Sequence, residues 1–154
     1  MTTRGIQSLR DRDVEHEVLT YRYVRMGARI AADAIGLPHE VVLKSLVFRA
    51  EDDAFLFVLV SGNANVSTRK VGRVTGHKHV VAAAPRDAER VTGYSVGGIS
   101  PLGARRRLPV ILDEETARNP YLVVNAGSRG TLVRLATADL IGLTGATLAD
   151  IRTS

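Results

Sequence analysis

The sequence predicts an α+β fold, a mixed β-sheet curled on itself with short helices around it, and three observations predict it. Runs rich in Val, Ile, Leu and Phe alternate with short segments of helical periodicity. Glycine or proline stands at most of the junctions between them. No repeat, linker or low-complexity tract divides the 154 residues, so residues 1–154 are read as one domain, long enough to bury a core without staples.

Each element has a local cause. Val18 to Val24 is a β-rich run. Met26 to Ile35 has helical spacing and is stopped by Gly36 and Pro38, in the order usual at a helix C-terminus. Val41 to Phe48 and Phe55 to Val60 flank the acidic turn Glu51-Asp52-Asp53 and predict a hairpin. Ser67 can cap a helix that reaches Val74 and ends at Gly76, and Pro85 can open another that ends before Gly93. Leu108 to Leu112, Tyr121 to Asn125 and Thr131 to Leu135 read as strands, and a last helix begins at Thr137 or Ala138.

Composition narrows the chemistry. The chain has no cysteine, which excludes a disulfide framework, a thiolate zinc site and a cysteine nucleophile. His16 and His39 stand alone, and His77 and His79 lack an acidic residue or third histidine at ligand spacing, so no metal site is expected. No window approaches the roughly 18 apolar residues of a membrane span, and Met1 to Arg12 is too polar for a signal peptide, so a cytoplasmic protein without membrane contact is expected. A net charge of +5 favours an anionic partner.

Two features resist a purely structural account. Thr92 to Gly103 places four glycines and a proline in a short tract with little apolar periodicity. Such a loop lets backbone approach a ligand, with the N–H groups of Gly97 to Ser100 as candidate donors to an anion or a carbonyl oxygen. Lys44 lies inside an apolar strand on the face of Val42, Leu46 and Phe48, where an ammonium must reach water or meet an anion. Arg105-Arg106-Arg107 directly after the loop can hold phosphates, and Arg69 and Lys70 on the helix after Ser67 are the next such pair. Gly93-Tyr94-Ser95-Val96-Gly97 also matches the G-x-S-x-G nucleophile elbow, but Gly98 and Pro101 follow where that elbow needs a helix.

Taken in order, Val42-Leu43-Lys44-Ser45-Leu46-Val47, Arg69-Lys70-Val71, the tract from Thr92 to Gly103, Leu108-Pro109-Val110, Ala126-Gly127-Ser128-Arg129-Gly130 and Ala138-Asp139-Leu140 resemble the YbaK/ProX family. These are free-standing relatives of the editing domain inserted in bacterial prolyl-tRNA synthetases. The resemblance runs from about Val18 to Ile151 and implies a compact, barrel-like mixed sheet with surrounding helices.

It also implies an aminoacyl-tRNA deacylase that hydrolyses the ester joining a wrong amino acid to the terminal ribose, without metal or organic cofactor. Lys44 corresponds to the family's essential lysine and Gly97 to Pro101 to its G-x-x-x-P loop, which makes Lys44, Gly97, Gly98 and Ser100 the catalytic candidates. Tyr21, Ser45, Ile99, Pro101, Asn125, Gly127 and Arg129 are the substrate-binding candidates. The nucleophile is water or, for a cysteinyl substrate, its own thiol. Where the cysteinyl-specific members carry an acidic residue this chain has Leu132, and Asn125 takes a small hydroxyl position, so cysteinyl, alanyl and other small aminoacyl groups all stay open. Expected partners are a mischarged tRNA, tRNA(Pro) first among them, and prolyl-tRNA synthetase, with the chain a monomer or weak homodimer. The alternative from the same fold is a tRNA- or synthetase-binding module without catalysis.

Overall fold

In a computed structural model that describes residues 2–153, the chain opens with a helix that periodicity did not announce, α1 (Arg4–Asp11). Thr3 caps it by accepting the Ile6 N–H at 3.0 Å, while Ile6 and Leu9 are its buried anchors. There follow β1 (His16–Thr20), α2 (Ala28–Ile35), β2 (Leu43–Ala50), β3 (Phe55–Ser61), α3 (Thr68–Thr75), β4 (Val80–Ala82) and α4 (Pro85–Thr92). The chain ends in β5 (Val110–Asp113), β6 (Tyr121–Ser128), β7 (Thr131–Ala136), α5 (Thr137–Thr144) and β8 (Thr147–Ala149). Four of the helices close on a left-handed glycine, Gly36, Gly76, Gly93 and Gly145, as a residue without Cβ allows.

Two sheets form, not one. β1, β7 and β6 make an antiparallel sheet in that order, and β4, β2, β3, β5 and β8 make a mixed one. The expected hairpin is present, with Lys44 opposite Val60 and Phe48 opposite Leu56. The expected barrel-like closure is not. The residue just before β2 meets β6 at a single parallel bridge, Val42 to Val123, after which the sheets part. Most of the core fills the space between them, with Phe57, Leu59, Leu112, Leu122 and Val124 buried under α1, α4 and α5. α3 covers the outer face of the larger sheet through Val71, and Ala31 and Ala32 of α2 seal the bridge. Fully burying a side chain of this size contributes about 1.5 to 3 kcal/mol.

Element ends differ from the sequence reading at several places, β2 running Leu43–Ala50 and β6 Tyr121–Ser128, and three of the differences have clear local reasons. The strand expected to reach Val24 ends at Thr20, because its partner β7 begins at Thr131 and the last bond runs from the Tyr21 N–H to the Gly130 carbonyl. The helix expected from Met26 starts at Ala28, since Gly27 before it stands at the non-helical positive φ of 153°. The strand expected from Leu108 starts at Val110, because Pro109 has no N–H for a ladder.

A buried polar cluster ties the C-terminal segment to the sheet. Asp113 accepts the Arg152 Nε–H at 2.7 Å and both the N–H and the hydroxyl of Thr116, and Arg152 also donates to the Ser61 hydroxyl. Beyond it, the Thr153 N–H donates to Asn65 and the Ser67 N–H to Ile151. This fixes the Asn65 segment, which matters below.

Glu51 provides a solution test of the fold. Its carboxylate accepts from His77 and from the N–H groups of Lys78 and His79, and these bonds, the one from His77 foremost, hold its pKa down at about 2. The folded value lies below the ordinary 4.5, so the contribution is complete above pH 4.5 and is lost as pH falls toward 2. Denaturant melts of the wild type and Glu51→Gln are expected to differ by a constant amount above pH 5 and to converge in acid.

Candidate active site

A pocket of about 420 Å³ opens where the two sheets part. Val42, just before β2, is bridged to β6, and from Phe48 onward the outer edge of β2 is bonded to β4. Between those points, at Lys44 to Leu46, the edge has no strand beside it and both faces of β2 border the opening. Tyr21, Asn125, Leu132, Gly97 and Ile99 complete the ring of sequence-predicted positions around it, and Ala31, Ala83 and Ala88 keep its walls low.

Lys44 is half-buried, and its Nζ donates to the Ala64 carbonyl at 2.6 Å and to Asn65 Oδ1 at 3.2 Å. Neither partner is charged. Burial first, and the Arg29 charge second, hold its pKa below the ordinary lysine value of 10.5. One donor of the ammonium therefore remains to meet an anion or a carbonyl oxygen. Ser45 lies on the opposite face, between Leu43 and Val47, and its Oγ is buried without a hydrogen-bond partner among the described residues. A hydroxyl left so can be satisfied by an ordered water or by a ligand atom.

The glycine loop forms the far wall. It wraps around its own Tyr94, whose hydroxyl donates to the Leu102 carbonyl and whose ring is covered by Arg4 at 4.9 Å. Gly97 stands at φ 96°, and a Cβ there would come within 2.5 Å of the Tyr23 hydroxyl. Gly98 is buried against the turn between β6 and β7, where a Cβ would lie 2.9 Å from the Ser128 carbonyl carbon. Its N–H closes a turn onto Ser95, whereas the N–H groups of Gly97, Ile99 and Ser100 have no acceptor among the described residues. Of these, Gly97 and Ile99 border the pocket.

The structure separates the remaining candidates. Ser100 is fully buried, its hydroxyl accepts the Leu102 N–H at 3.1 Å, and it lines neither the pocket nor the cavity behind the loop. Pro101 faces a second cavity behind the loop. Gly127, at φ 104°, makes room for the Tyr94 ring, and Arg129 spans the loop mouth by donating to the Val96 carbonyl at 2.9 Å. Asn125 and Leu132 are cross-strand partners, so the two positions at which the chain departs from the cysteinyl-specific pattern sit side by side on the pocket wall. Arg105, Arg106 and Arg107 are exposed, as is Arg69, but Lys70 is tied to Asp150 at 3.0 Å. Sequence reasoning missed Ala64 and Asn65, the partners of Lys44, and Tyr23, whose ring packs under Arg129 at 5.6 Å. The only signal was the turn Gly62-Asn63-Ala64-Asn65 after β3.

The chain is an α+β domain in which a lysine, a glycine loop and a small, mostly apolar pocket come together at the junction of two sheets. Residues 26–143 match the model of the aminoacyl-tRNA editing domain, and the chain belongs to that family. An Enterococcus faecalis protein named "Putative Cys-tRNA(Pro)/Cys-tRNA(Cys) deacylase EbsC" is 30% identical over 128 residues, which cover 83% of this chain and 78% of that one. The proline–tRNA ligase of Limosilactobacillus fermentum is 31% identical over 104 residues, 65% of this chain but 18% of the ligase. A crystal structure described as "a putative trans-editing enzyme for prolyl tRNA synthetase" superimposes with a TM-score of 0.87 at 30% identity, covering 98% of this chain and 96% of the other.

Proposed function

We propose that this chain is a trans-editing deacylase that hydrolyses the ester of a tRNA carrying a small, uncharged amino acid, with cysteinyl- and alanyl-tRNA(Pro) the first candidates. The observation that carries this reading is a single pocket lined by Lys44, by Ser45 with its unpartnered hydroxyl, and by Gly97 and Ile99, whose N–H groups have no acceptor among the described residues.

Attack on the ester carbonyl places negative charge on its oxygen. Fixed N–H donors of the loop lower the energy of that state, an effect of about 3 to 4 kcal/mol for a well-placed donor. Lys44 holds the ribose end or the carbonyl in register by charge, and water, or the thiol of a cysteinyl substrate, is the nucleophile. No carboxylate of the described residues lines the pocket, and Leu132, Ile99 and Val96 suit a short apolar side chain. Discrimination of this kind is required upstream, because a synthetase pocket rejects a small isostere by only about 1 to 3 kcal/mol.

Deacylation of a panel of mischarged tRNAs, with cysteinyl- and alanyl-tRNA(Pro) included and synthetase added or withheld, tests the reading. Faster hydrolysis of at least one small aminoacyl ester than of prolyl-tRNA(Pro) is the expected result. Background rates throughout would leave the fold as a binding module.

Ser45 gives a sharper check. Ser45→Ala removes a buried hydroxyl that has no protein partner among the described residues, so stability is expected to stay level or rise by up to about 1 kcal/mol. If the hydroxyl bonds the substrate, kcat/KM falls about tenfold in the same variant. A melt and a rate measured together separate the two effects.

A further inference from the structure

Behind the glycine loop lies a second cavity of about 200 Å³, bordered by Arg12 from the end of α1, by Arg106 and Arg107, and by Gly103, Ala104 and Thr144. None of the three arginines forms an ion pair among the described residues, and the lining contains no carboxylate. The Thr144 hydroxyl, and that of Ser8 beside it, already donate to helix carbonyls at 2.8 and 2.7 Å. The free donors are thus the guanidinium groups and the N–H groups of Gly103 and Ala104, which have no acceptor among the described residues. Like charges gathered without a counter-charge repel one another, and an anion relieves that repulsion.

We infer that this cavity is a phosphate site, and that it takes one backbone phosphate of the tRNA whose aminoacyl end enters the pocket on the other side of the loop. The inference rests on the tRNA reading above and narrows it. Pro101, Leu102 and Gly103 line the rear cavity while Gly97 and Ile99 line the front pocket, so one loop carries both contacts. The set is spatial and not the run of three arginines. Arg105 does not line the cavity, since its backbone N–H is fixed to Thr92 and its Cβ lies beside Gly93, whereas Arg12, ninety-odd residues earlier, does.

The test uses the full chain with two probes, inorganic phosphate and an uncharged RNA hairpin bearing a single-stranded 3′ end. Phosphate is expected to shift the amide resonances of Gly103 and Ala104 in the wild type and in Arg105→Gln, but not in Arg12→Gln or Arg107→Gln. RNA affinity is expected to fall about 3- to 10-fold in Arg12→Gln and Arg107→Gln, with the salt slope reduced by about one, and Arg12→Lys should restore most of the slope. Arg105→Gln as damaging as Arg12→Gln, or RNA affinity indifferent to Arg12, overturns the inference. Arg12-dependent RNA binding without hydrolysis of any aminoacyl-tRNA supports the phosphate site and counts against the editing reading, so the two fail separately.

Discussion

Lys44→Ala is expected to lower deacylation of the best substrate by about 10²- to 10³-fold, the range seen when one preorganised donor to developing charge is removed. Stability should change little. The ammonium is half-buried and meets only the Ala64 carbonyl and the Asn65 amide oxygen, both of which water can reach once the side chain is gone. Lys44→Arg should fail as well, since a planar fork cannot occupy the space of a compact ammonium held by two oxygens on one side. A pH profile adds an independent readout. The folded pKa lies below 10.5, and the charged form is the active one, so enzymatic turnover should decline as pH rises through that lowered value. The decline should vanish in Lys44→Ala after correction for spontaneous ester hydrolysis. Wild-type rates in Lys44→Ala would remove this residue from the mechanism.

The two features that mattered most were legible because each breaks a local rule. A lysine among Val42, Leu43, Leu46 and Val47 contradicts the apolar pattern of its strand, and the glycine density of Thr92 to Gly103 contradicts any regular element. The tract that follows Ser67 and the β2–β3 hairpin were equally plain, since cap, periodicity and turn all agreed. Other parts depend on partners distant in sequence. α1 has only Ile6 and Leu9 as apolar anchors, too few to show a period, and it is held by β6 and by the Arg4 contacts to Thr92 and Gly93. β4 and β8 are three-residue strands that exist because β2 and β5 offer free edges. The Ala64 carbonyl that receives Lys44 leaves no trace in residue identity at all. Two linked architectural expectations failed, the single sheet and its closure, because a single bridge at Val42 does not continue into a ladder.

Gly98→Val is expected to abolish deacylation and also to lower stability, for a reason that differs from the one the sequence suggests. A glycine at this place reads as room for substrate, yet a Cβ on Gly98 would lie 2.9 Å from the Ser128 carbonyl carbon and 3.0 Å from the Arg129 nitrogen, both backbone atoms that cannot swing aside. The loop must therefore lift from the turn between β6 and β7. Lifting it moves the N–H groups of Gly97 and Ile99 away from the pocket that Lys44 faces, and a displacement of about 1 Å is enough to cost on the order of 10²-fold in rate. Overpacking of this kind destabilises by about 1 to 3 kcal/mol. Gly142→Ala is the matched control, because nothing lies within 4 Å of a Cβ there and the residue sits inside α5. That variant should keep full activity and gain stability of up to about 1 kcal/mol from the better helix propensity of alanine. Affinity for non-aminoacylated RNA should fall far less than the rate in Gly98→Val, by no more than the roughly 3- to 10-fold that the rear phosphate contact supplies, since the basic side chains are retained. Full activity in Gly98→Val would show that the loop need not rest on the β6–β7 turn for catalysis, and the oxyanion role of its N–H groups would fall with it.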